Sequence, residues 1–79
     1  MIVLLRTGGQ LREMLKPDFD RYTRKIDCPD GANMETILKQ IGLDRKFIAF
    51  IYVDGKVCDF SYIPKDGQIV TLQPPVSGG

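Results

Sequence analysis

The sequence contains no histidine. That absence removes Ser-His and Cys-His nucleophile pairs, histidine general bases and histidine metal sites together. Cysteine is scarce: Cys28 and Cys58 stand 30 positions apart, with no Cys-x-x-Cys spacing. Two thiolates fall short of the ligand set of a zinc or iron–sulfur site, so no metal ligands are assigned. Both read as reduced, half-buried packing residues. A disulfide stays open, because sequence does not bring two sulfurs within bonding distance. No apolar run approaches the roughly 20 residues that span a bilayer. The apolar start at 2–5 is too short for a signal peptide, and no basic residue precedes it. The expected location is the cytoplasm. Net charge is only +1, and Lys and Arg are spread without a block, which argues against nucleic acid or an anionic membrane as partner. An enzyme acting alone is not expected.

What is present suits one small domain. A chain of 79 residues buries about 60% of its unfolded surface, so the core is modest. The run at 2–5 is apolar throughout, as in a central strand covered on both faces. Gly8-Gly9 breaks it. Leu11, Met14 and Leu15 recur at helical spacing until Lys16-Pro17 stops them. From 21 to 27, Tyr22, Arg24 and Ile26 alternate with Thr23, Lys25 and Asp27; the basic residues read as the charges that protect an edge strand. Cys28-Pro29-Asp30-Gly31 is a turn.

The best-specified element follows. Asn33 suits a helix N-cap, and Met34, Ile37, Leu38 and Ile41 form one apolar stripe. Glu35 and Lys39 complement the helix dipole at its two ends. Gly42 fits the left-handed position after the helix, with Leu43 folding back on Leu38. The stretch 47–53 reads as a second apolar strand. Asp54-Gly55 signals a hairpin into a strand at 56–60. Residues 61–64 make an irregular connection, 65–67 another turn, and 68–72 the last strand.

This order predicts an α+β fold: a β-grasp with a mixed sheet of about five strands and one main helix packed on one face. The first and last strands would lie parallel at the centre. The segment 10–16 is expected to cover part of the second sheet face, leaving an apolar patch of the kind that marks a partner site. Strand phase is open for Leu4, Ile48, Phe50, Val70 and Leu72; Phe50 and Leu72 are the candidates for that patch. Residues 1–73 form the domain and 74–79 a flexible tail, Pro74-Pro75-Val76-Ser77-Gly78-Gly79. Two prolines favour an extended stalk. Glycine lacks Cβ, so a diglycine can thread a channel too narrow for other residues. The alternative is a frayed end without function.

The C-terminal third carries a resemblance. Ile51-Tyr52-Val53-Asp54-Gly55-Lys56-Val57, then Lys65-Asp66-Gly67-Gln68-Ile69-Val70-Thr71-Leu72-Gln73 and Pro-Pro-Val-Ser-Gly-Gly, resemble the MoaD/ThiS family of ubiquitin-like sulfur carriers in order and spacing. The ending is nearer to MoaD, the small subunit of molybdopterin synthase, than to the thiamine-pathway carrier. The turn at Asp30-Gly31 also resembles the thiamine carriers, and the N-terminal half casts no vote.

The resemblance implies a ubiquitin-like fold and a chemistry at the last residue. A ubiquitin-activating-type enzyme would use ATP to adenylate the carboxylate of Gly79, and a sulfur donor protein would convert it to a thiocarboxylate. Gly78 would let the backbone pass the partner's channel, while Pro74, Pro75, Val76 and Ser77 would contact that partner as a stalk. A synthase large subunit would receive the sulfur. No cofactor would be held permanently; ATP belongs to the adenylating partner. Three readings compete: a carrier for the thiamine thiazole, a protein modifier joined to lysines through Gly79, and a plain interaction module.

Overall fold

In a computed structural model, residues 1–75 are described. The elements follow in the order β1 (Ile2–Arg6), α1 (Gly9–Leu15), β2 (Thr23–Asp27), α2 (Met34–Gln40), a 3-10 turn (Arg45–Phe47), β3 (Phe50–Val53), β4 (Lys56–Cys58) and β5 (Ile69–Gln73). One sheet has the order β2-β1-β5-β3-β4. β1 and β5 run parallel at its centre, and the other neighbours are antiparallel. This is the β-grasp expected from the sequence.

The central pair sorts its side chains by alternation. Val3 and Leu5 of β1 and Val70 and Leu72 of β5 are buried, as are Ile26 of β2 and Ile51 and Val53 of β3. Against them pack Met34, Ile37 and Leu38 of α2, with Ile41 at the margin. Each such side chain contributes about 1.5–3 kcal/mol when fully buried, far more than helix propensity supplies to a seven-residue helix. Tertiary packing therefore holds α2 in place.

Both ends of α2 follow their residues. The Asn33 side chain accepts from the Thr36 amide at 2.9 Å. The amides of Met34 and Glu35 donate to the carbonyls of Tyr62 and Phe60 at 2.9 and 3.0 Å, so the irregular 59–64 connection satisfies the donors that a helix start leaves open. At the other end Gly42 takes φ +73°. Its amide reaches the Lys39 carbonyl, and the Leu43 amide reaches that of Leu38 at 2.9 Å, a Schellman closure.

Three expectations need correction. Leu11 and Leu15 of α1 join the same buried core as Met34, Ile37 and Leu38 of α2, so the apolar side of this segment serves that core and not the second sheet face. The run 47–53 is not all strand. Asp44 accepts from the Lys46 amide and caps a 3-10 turn through Phe47, and β3 begins only at Phe50. β4 stops at Cys58 because Asp59 bonds the Ser61 amide and hydroxyl and bends the chain. The hairpin turn is as expected: Asp54 and Gly55 both take positive φ, +52° and +79°, the backbone of a two-residue turn matched to strand twist.

β2 is an edge strand, as its charges suggested. Several of its outward groups are occupied: Asp18 Oδ1 accepts from the Lys25 amide at 2.8 Å, and Gln40 donates to the Asp27 carbonyl. Among the described residues, no helix is long and apolar enough to cross a membrane.

Candidate functional site

The site begins where β5 ends. Val70 and Leu72 point into the core, so Ile69, Thr71 and Gln73 point the other way. The carbonyl of Leu72 accepts from Thr7 Oγ1 at 2.6 Å in a buried hydrogen bond. The next carbonyl, that of Gln73, accepts from the Ala49 amide at 2.7 Å. The chain leaves the sheet through Pro74, half-buried, and Pro75, exposed. A shallow groove of about 430 Å³ lies beside this exit, between Arg6, Gly8, Tyr22, Gln73 and Pro74. Val76, Ser77, Gly78 and Gly79, named from the sequence as the end of the stalk and the reacting terminus, lie outside the described residues.

The outer sheet face forms the second part. Strand pairing sets Lys25, Leu4 and Ile69 in one transverse row and Arg6, Thr71, Tyr52 and Val57 in the next. Phe50 stands beside Gln73. Phe50 is 50% exposed, Ile69 49% and Val57 61%, and neither helix covers them. The apolar face thus runs up to the root of the tail, with Arg6 and Lys25 along its flank. Exposed apolar residues grouped on one sheet face are what protein docking requires.

Of the two strand residues proposed for docking, the structure separates one from the other. Phe50 lies on the open face. Leu72 is 1% exposed and packs in the core, so its side chain is not available to a partner. Tyr52, Val57 and Ile69 were missed, as was Thr7. For Ile69 the signal was the phase of β5: polar Thr71 and Gln73 share its face, which leaves Val70 and Leu72 to the core; for Tyr52 and Val57 the register against β5 supplies the phase. Nothing in the sequence pointed to Thr7.

The two cysteines, Cys28 and Cys58, do not line the groove at the tail exit. Both are free. Cys28 is buried, and burial pushes its thiol pKa up, which disfavours the reactive thiolate. Among the described residues no group of three or more Cys, Asp or Glu side chains is placed to hold a metal ion.

The family model described as "ThiS family" matches residues 7–79, nearly the whole chain. The chain belongs to the ThiS family. No curated protein matches the sequence. Solved structures do. SAMP1 of Haloferax volcanii superposes with a TM-score of 0.72 at 16% identity over 100% of both chains. The candidate molybdopterin converting factor subunit 1 of Pyrococcus furiosus gives 0.70 at 24% identity, over 95% of this chain and 98% of the other. A chain from the complex of subunits 1 and 2 of the Helicobacter pylori molybdopterin-converting factor gives 0.55 at 22%, over 100% of both. These likenesses establish the ubiquitin-like β-grasp fold. Family membership gives the coarse function, a ubiquitin-like sulfur carrier. The diglycine end falls inside the matched span.

Proposed function

We propose that the chain carries sulfur as a thiocarboxylate on Gly79 and serves as the small subunit of a molybdopterin synthase. The observation that carries this reading is the continuity from β5 to the diglycine within one family match over residues 7–79. We assign the acid–base and nucleotide chemistry to partners, since the chain has no histidine to titrate near neutral pH. What this chain supplies is a carboxylate on a stalk and a surface to dock.

The chemistry follows from the weakness of a carboxylate as an electrophile. Attack of the Gly79 carboxylate on ATP, inside a ubiquitin-activating-type enzyme, releases pyrophosphate and leaves an acyl-adenylate. A sulfur nucleophile then displaces AMP at the same carbon. If the donor is a persulfide, a second thiol reduces the acyl disulfide and frees the thiocarboxylate. That group is a soft, ionised nucleophile, able to pass its sulfur to a pterin precursor in the synthase large subunit. Pro74, Pro75, Val76 and Ser77 would line the partner's channel, pairing by backbone in strand fashion, and Gly78 would pass its narrowest point. The face around Phe50 would dock.

The molybdopterin assignment draws on the Pro-Pro-Val-Ser-Gly-Gly ending and on two structural neighbours described as molybdopterin-converting factor subunits. Intact-mass spectrometry of chain purified with a native C-terminus is the test. A gain of about 16 Da, one oxygen exchanged for one sulfur and mapped to Gly79, is expected after incubation with ATP, adenylating enzyme and sulfur donor. A residue added after Gly79 should block it. An unmodified mass under those conditions overturns the carrier reading. Co-purification with a thiazole synthase in place of a synthase large subunit overturns the pathway alone.

A further inference from the structure

We propose that Thr7 is a positioning residue for the tail: its hydroxyl locks the last turn-off of β5 and so sets the direction in which the stalk is presented. The inference rests on the carrier reading above and concerns a residue outside both the tail and the docking face.

The argument starts from the parallel ladder. The Leu4 amide donates to the Gln68 carbonyl at 3.0 Å. Parallel pairing repeats every second residue along both strands, so the Leu72 carbonyl comes due opposite position 8. There the chain has already turned away into α1, which starts at Gly9. The Thr7 amide is committed to the other side, to the Tyr22 carbonyl at 3.0 Å. The Thr7 hydroxyl supplies the missing donor, at 2.6 Å, and it does so in a buried setting. Thr7 is 3% exposed. From the opposite side, the Ala49 amide holds Gln73 at 2.7 Å. The two successive carbonyls before Pro74 are therefore gripped from both neighbours.

That grip matters because the partner must engage two features at once, the apolar face and the tail. The face borders Gln73 through Phe50 and the chain leaves the sheet at Pro74, so the end of β5 relates the two. Without the hydroxyl, β5 keeps its pairing with β1 only as far as Arg6 and Thr71. The stalk would gain length and freedom, and each encounter would have to re-order it. The effect belongs to binding of the tail and not to the chemical step.

The test compares Thr7→Val, which keeps shape and loses the donor, with Thr7→Ser, which keeps the donor. The readouts are steady-state adenylation by the ubiquitin-activating-type enzyme that modifies the wild-type chain, and amide hydrogen exchange of the full chain. Thr7→Val is expected to raise KM for the carrier about three- to tenfold with kcat within about twofold. Exchange should speed up at Leu72 and Gln73 while Val70 stays protected. Thr7→Ser should restore both. A Thr7→Val chain with wild-type KM, or a Thr7→Ser chain as impaired as Thr7→Val, overturns the proposal and leaves the carrier reading intact. A wild-type chain that is never adenylated overturns the carrier reading and the presenting role with it. If Thr7→Val lowers kcat in proportion to its folded fraction and leaves KM unchanged, the role is structural only and the proposal fails.

Discussion

Phe50 and Tyr52 stand two residues apart on the outer face of β3, their ring centroids 6.2 Å apart and their planes tilted by 46°. Neither helix reaches them, so their apolar area is available to another protein. Phe50→Glu is expected to change folding stability by less than about 1 kcal/mol, the usual range at an exposed site. Partner binding should fall by about 2 kcal/mol or more if Phe50 anchors the interface, roughly thirtyfold in Kd. Thermal unfolding and a titration against the adenylating enzyme separate the two effects. Equal affinity for Phe50→Glu and wild type would move the interface off this face.

Leu72 reverses that pattern. It is buried on β5, two residues before Pro74, and its side chain belongs to the core. Leu72→Ala is expected to cost about 2–5 kcal/mol, a large share of the roughly 5–15 kcal/mol that holds a domain together. Denaturant unfolding should show a lowered midpoint. The fraction that remains folded should still be adenylated, because no partner contact is lost. A fully stable Leu72→Ala chain with impaired binding would return Leu72 to the docking surface.

How much of this was legible in the residues depends on the range of the interactions. α2 was read closely, down to the Asn33 cap and the Gly42 closure, because every signal for it lies within one turn of the helix. The Asp54-Gly55 hairpin was local too. The boundary of β3 was not: Phe47 and Ile48 are as apolar as Phe50 and Ile51, and only the Asp44 side chain turning back on Lys46 diverts them into a 3-10 turn. The side of the sheet taken by α1 was misjudged, because Leu11 and Leu15 fit an apolar surface on either face. Thr7 was invisible for a related reason. Its partner lies 65 residues away, and only the assembled sheet brings the two together.

The two ends of α2 give a matched pair of stability tests. Asn33→Ala removes the acceptor for the Thr36 amide and should cost about 1 kcal/mol. Gly42→Ala meets no atom within 4 Å of a new Cβ, so steric clash adds nothing and only the φ of +73° opposes it. The expected loss is again about 1 kcal/mol. In denaturant titrations both should lower the midpoint with the slope unchanged. A loss several times larger for Gly42→Ala would mean that the Leu43 closure opens as well.

The amino terminus supplies a pH dependence with a definite sign. The Met1 ammonium donates to the Cys28 carbonyl at 2.7 Å and pairs with Asp30 at 2.9 Å. The Asp30 hydrogen bond, the largest influence, raises the ammonium pKa above its ordinary 8.0. A group whose folded pKa is raised stabilises fully below its unfolded value and loses that contribution as pH climbs through the folded one. Asp30→Asn should therefore lower the thermal midpoint at pH 7, and the gap to wild type should close as pH rises above 8. Cys28 also has a raised thiol pKa, chiefly through burial. It too favours the fold at lower pH, but burial acts in both chains and largely cancels in the difference. Thermal unfolding of the two chains between pH 6 and pH 10 decides the matter. A gap that stays constant across that range would mean that the ammonium–Asp30 pair does not contribute to folding.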